Sequence, residues 1–107
     1  MLGINQLAIY ANFLYGFGMI QERILIIWEY KGLTAKKLEE FSGIDREKWY
    51  ALKQKKRRVN EDDINAIVKM FPNYALWLVS GTIGPECGQT SPDYDKANRE
   101  LGSQNAG

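Results

Sequence analysis

An all-α fold is predicted by three observations. Apolar residues recur at helical spacing in two stretches, Ile20, Ile24, Ile27 and Trp28 in the first and Ile64, Ile67, Val68 and Phe71 in the second. Residues that accept hydrogen bonds from free backbone N–H groups stand where helices should open: Thr34, Asp45, Asn60 and Asn73. Helix stops follow at Gly32, Gly43, Pro72 and Gly81. With 107 residues the chain suits one small domain with a single core and short extensions.

The first helix covers IQERILIIWEYK and ends at Gly32, with Met19 as a candidate natural start. Leu25 and Ile26 lie off its main stripe, so the helix needs a second covering, from the N-terminal segment or a second subunit. Thr34 caps a second helix, AKKLEEF, with Leu38 and Phe41 one turn apart. Gly43 permits the positive φ of a tight turn, and Asp45 caps a third helix from about Arg46 to Gln54. Trp49 and Leu52 form its inward face; at 100° per residue Glu47, Tyr50, Ala51 and Gln54 lie opposite, with Arg46 at the edge. Asn60 caps the fourth helix, whose first-turn Glu61, Asp62 and Asp63 suit the helix dipole. Asn73 is placed to cap a fifth, YALWLVS, with Leu76, Trp77 and Val79 adding core volume.

Residues 1–18 form an apolar extension, 19–81 the folded domain and 82–107 a linker and flexible tail, with Ser91 and Pro92 suited to open a short helix over 91–101. Residues 1–21 carry no charged side chain. Even so, Asn5, Gln6 and Asn12 interrupt apolar runs too short to span a bilayer, and no positive region or cleavage site marks a signal peptide.

With no histidine and one cysteine, Cys87, the chain lacks the usual ligands for zinc, the usual proton shuttles and an internal disulfide. No metal, cofactor or catalytic group is expected, and cytoplasmic residence is the simpler reading. Trp28, Trp49 and Trp77 sit on apolar stripes and read as core. The formal net charge of +1 hides an asymmetry: residues 22–58 hold eleven Lys/Arg against six Asp/Glu, residues 59–107 three against seven. A polyanion-binding face would leave that pattern.

Helices two and three with their approach, KGLTAKKLEEFSGIDREKWYAL, and the closing YALWLVSG together resemble the lambda-repressor-like helix-turn-helix family, and within it small phage or prophage regulators. The resemblance covers Ile20 to Gly81 and implies a compact five-helix DNA-binding domain. Two residues depart from the pattern: Glu39 stands where the family has a small residue, and Ser42 where leucine is common. A shift burying Phe41 would compensate.

Position by position, the resemblance assigns base reading to Arg46, Glu47 and Ala51, with Tyr50 beside them. Arginine can donate twice to guanine, glutamate can accept from the cytosine amino group, and an alanine methyl can pack on thymine. Thr34, assisted by Lys36, matches a phosphate contact at the second helix's N-terminus. Lys53, Lys55, Lys56, Arg57 and Arg58 would grip the sugar-phosphate backbone without reading sequence, giving a log-log salt slope of about −4 per subunit.

The resemblance therefore implies a transcriptional regulator, a repressor by type and not an enzyme, that binds double-stranded DNA as a homodimer with no evident small-molecule effector. Its rival is a helix-turn-helix unit turned to protein binding, antitoxin-like or an anti-regulator, which the acids Glu39, Glu40, Asp45 and Glu47 favour.

Overall fold

The structure, a computed structural model, describes residues 19–106, with side chains as far as residue 102. The 1–18 extension lies outside the described residues. Among those described the fold is all-helical: α1 (Met19–Tyr30), α2 (Ala35–Ser42), α3 (Arg46–Lys53), α4 (Glu61–Met70), a 3-10 turn (Pro72–Tyr74), α5 (Ala75–Ser80), a second 3-10 turn (Pro85–Cys87) and α6 (Pro92–Ala106). None of these helices is long and apolar enough to cross a membrane. The chain divides into two units, residues 1–66 and 67–107, the boundary falling within α4.

In the first unit Ile24, Ile27, Trp28, Ala35, Leu38, Trp49, Leu52 and Ala66 are buried. Trp28 and Trp49 meet edge to face, ring centroids 6.3 Å apart. The predicted caps hold: Thr34 Oγ1 accepts from Lys37 N (3.1 Å), Asp45 Oδ1 from Glu47 N (2.9 Å) and Asn60 Oδ1 from Asp63 N (3.0 Å). Gly43, at φ 77°, turns the chain from α2 to α3 in the left-handed region, where a side chain would be strained.

Phe41 is not buried; it is 53% exposed. The inward stripe of α2 is Ala35, Leu38 and Ser42, at i, i+3 and i+7, which rotates Phe41 outward. Ser42 holds its inward place because its hydroxyl is fully used. It donates to Leu38 O (2.5 Å) and accepts from Ile44 N (3.0 Å) and from the indole N–H of buried Trp49 (3.3 Å). A leucine there would leave the indole without a partner.

In the second unit Ile67, Tyr74 and Leu78 are buried. Leu78 on α5 and Tyr74, the residue just before it, four positions apart, face inward. Leu76 and Val79, expected in the core, are 39% and 58% exposed. Asn73 does not cap α5: Tyr74 stands at its N-cap, with no side-chain cap bond, and the Asn73 amide donates to Thr90 Oγ1 (3.2 Å). Gln89 instead reaches back, accepting from Leu76 N (2.9 Å) and donating to Pro72 O (3.1 Å).

The segment after Gly81, expected as linker and tail, is therefore tied to α5 by side chains its composition did not advertise. The Tyr74 hydroxyl donates to Asp95 Oδ2 (2.6 Å), giving a buried phenol the partner it needs. Ser91 caps α6 through Tyr94 N (3.1 Å), with Pro92 at its first position, and the helix runs past the expected 101 to Ala106.

Candidate nucleic-acid interface

The third helix is held at both ends. At its start Asp45 caps Glu47 N, while Glu39, one helix earlier, accepts from Arg46 N through Oε2 (2.7 Å). At its end the amide of Gln21, buried in α1, donates to Leu52 O (3.2 Å) and Arg57 O (3.4 Å), giving the last-turn carbonyl of Leu52 a second donor beside Lys55 N. Gln21 shares a face with Ile24 and Trp28 at i, i+3 and i+7, so its inward position was readable in the sequence.

The outward face of α3 presents Glu47, Lys48 and Tyr50, the last 45% exposed, with Arg46 and Ala51 half-buried beside them. Arg46 is engaged within the chain. Its Nε (3.1 Å) and Nη2 (2.7 Å) converge on Glu39 Oε1, and its side chain remains 43% exposed. The hydrogen bond from Arg46 and then that from its backbone N–H hold the Glu39 carboxyl below the usual carboxylate range; Glu39 in turn raises the Arg46 guanidinium. Both groups therefore stay ionised at neutral pH.

The basic cluster splits into different roles. Arg57, expected to contact phosphate, spends its guanidinium on its own chain. It makes a bidentate pair with Asp63 (2.8 and 3.1 Å) and donates to Lys48 O (3.1 and 3.0 Å) and Arg58 O (3.1 Å). Asp63, 1% exposed, also accepts from Asn60 N (2.9 Å), completing a capping box. The spacing from Asn60 to Asp63 signals that box, and a buried first-turn carboxylate calls for a cation.

Lys55 Nζ pairs with Glu22 (2.7 Å), with 41% of its side chain exposed. Lys53 lies over Trp28, 5.0 Å from the ring centroid, and both line a groove of about 510 Å³ with Leu25, Glu29 and Leu33. Lys36, Lys56 and Arg58 are exposed and make no ion pair with another described residue. Thr34 is exposed, its hydroxyl serving as the α2 cap.

Lys55 also stands at φ 61°, the one non-glycine at positive φ among the described residues. The bonds around it, Lys56 N to Ala51 O (2.8 Å) and Lys55 N to Leu52 O (3.1 Å), close α3 as Leu33 N to Trp28 O (2.9 Å) and Gly32 N to Glu29 O (3.2 Å) close α1. Glycine fills that place at α1, and lysine fills it at α3. Lys55→Gly is expected to relieve about 1 kcal/mol of left-handed strain and to lose a partly exposed ion pair contributing about 0–1 kcal/mol. The melting temperature should hold or rise by a few degrees in a thermal scan.

A scan against models of known protein families finds no match, and neither does a search of curated protein sequences. Among solved structures the chain is similar to Pf6r from the filamentous phage Pf6 of Pseudomonas aeruginosa PA01, with a TM-score of 0.71 and 32% identity over 79% of this chain and 99% of that one. Fold and site define a small all-helical protein with two short helices joined at a glycine turn. The chain belongs to the family of Pf6r.

Proposed function

We propose that the protein is a sequence-specific DNA-binding transcriptional regulator of phage or prophage type, a repressor by class, that inserts α3 into the major groove. The observation that carries this reading is the outward face of α3, Arg46, Glu47, Tyr50 and Ala51, on a helix fixed at both ends and followed by exposed Lys56 and Arg58. A base-reading helix must be held rigidly, and its flank must be cationic. Similarity to a filamentous-phage protein supports the phage setting. The reading requires double-stranded DNA in the cytoplasm and no metal, cofactor, effector or catalytic group.

Such a protein acts as a homodimer on half-sites about one helical turn apart, because one short helix reads too few base pairs. Exposed Leu76 and Val79 make α5 the first candidate for the dimer contact.

Selection of binding sites from random duplex DNA tests the reading. The wild-type protein should enrich a near-palindromic sequence containing guanine, and Arg46→Ala should lose about 1–3 kcal/mol of discrimination at that guanine while still binding DNA. With Arg57 committed and Lys55 paired, about three phosphates are neutralised per subunit by the remaining members of the run, Lys53, Lys56 and Arg58. The salt slope should be about −3 rather than −4. Enrichment of no sequence, or a titration flat in salt, contradicts the proposal.

The protein-binding alternative draws on the Arg46–Glu39 pair, which removes a cation from the surface, and on exposed Glu40 and Glu47 beside it. Flow-through on heparin and random duplex at low salt is its expected behaviour.

A further inference from the structure

Glu39 occupies the place where the second helix of a helix-turn-helix unit would pack a small side chain, yet its carboxylate is not idle. Oε2 takes the backbone N–H of Arg46, and Oε1 takes Nε and Nη2 of the same residue. Both oxygens are thus spent on one arginine, reached from another helix across the turn.

A guanidinium has two edges that can donate in pairs: the side edge, Nε with one Nη, and the end edge, Nη1 with Nη2. Glu39 occupies the side edge. The end edge keeps one hydrogen on Nη1 and one on Nη2, which no described residue takes, on a side chain 43% exposed. That free edge can match the O6 and N7 acceptors of guanine in the major groove. A free arginine would lose the entropy of its several rotatable bonds on binding, whereas one held by a carboxylate has lost much of it beforehand. The same carboxylate offsets the arginine's charge, weakening attraction to phosphates that carry no sequence information.

We propose that Glu39 is a specificity-determining positioning residue: it fixes Arg46 side-on so that the end of the guanidinium is preset for one guanine, while its charge weakens indiscriminate phosphate binding. This rests on the DNA-reading function proposed above. It makes a signature that a merely structural role would not, because removing Glu39 raises affinity for random duplex while lowering discrimination at the guanine.

The test uses the duplex selected by the wild-type protein and versions with that guanine replaced, alongside random duplex. Glu39→Gln keeps an acceptor for the Arg46 backbone N–H but loses the charge that holds the guanidinium. It should lose about tenfold in guanine discrimination and bind random duplex more tightly. Glu39→Asp keeps the charge on a side chain too short to serve both bonds, and should lose discrimination without the gain in random binding. In an Arg46→Ala background Glu39→Gln should change discrimination no further.

Discrimination within twofold of wild type in both variants overturns the positioning role and leaves DNA reading intact. Equal loss on selected and random duplex, or the same loss again in the Arg46→Ala background, assigns Glu39 to stability alone and also overturns it. Failure of the wild-type protein to select any sequence overturns both readings.

Discussion

Arg57→Ala is expected to destabilise the first unit by about 3 kcal/mol, the lower end of the range for breaking a buried ion pair. The cause is what remains behind: Asp63, 1% exposed, would keep its bond from Asn60 N but lose both guanidinium donors. The lower end applies because the Arg57 side chain is 22% exposed, so water can enter in its place. At about 4–8 °C per kcal/mol for a domain this size, the melting temperature should fall by about 12 °C or more. Arg58→Ala, one residue on, should stay within about 0.5 kcal/mol of the parent and lose duplex affinity instead. Equal melting temperatures for the two variants would contradict the division of the basic cluster into strut and grip.

The second large effect is at Trp49. This side chain is fully buried, packs against Trp28 and hands its N–H to Ser42, so Trp49→Ala should cost about 4 kcal/mol. The partner variant is more diagnostic. Ser42→Leu should cost about 2 kcal/mol by leaving the indole N–H unsatisfied, and most of that cost should vanish when Trp49 is already phenylalanine, which has no N–H to orphan. Additive costs in this double-mutant cycle, measured by denaturant unfolding, would show that Ser42 acts by packing and not as the acceptor for Trp49.

Those two cases mark where the sequence could be read and where it could not. Thr34, Asp45 and Asn60 were legible as caps because a cap and its N–H lie two or three residues apart, and the stripe of Ile24, Ile27 and Trp28 follows from helical pitch alone. Ser42 and Glu39 stood out only as departures from a pattern. Their compensations, the Trp49 indole and Arg46, lie seven residues away across a turn and become neighbours only once the helices pack.

Arg57 was indistinguishable from Arg58 in a basic run, because its commitment depends on Asp63 being buried nearby. Phe41, Leu76 and Val79 were misplaced for a different reason. Phe41 is one residue from inward Ser42, Val79 one from buried Leu78, and Leu76 lies midway between buried Tyr74 and Leu78; neither a serine nor a tyrosine before the helix marks an inward face by composition. The α3 positions proposed to read bases follow from helical facing and from the family resemblance; Glu47 and Tyr50 are exposed, and Arg46 and Ala51 half-buried.

The central claim is that α3 meets base edges in a major groove with Arg46 at a guanine. Methylation of guanine N7 blocks that groove edge and leaves phosphates and minor groove untouched. On the selected duplex, N7 methylation at one guanine in each half-site should prevent binding of the wild-type protein and should have no effect on residual binding by Arg46→Ala. Wild-type binding indifferent to N7 methylation at every guanine would contradict the account.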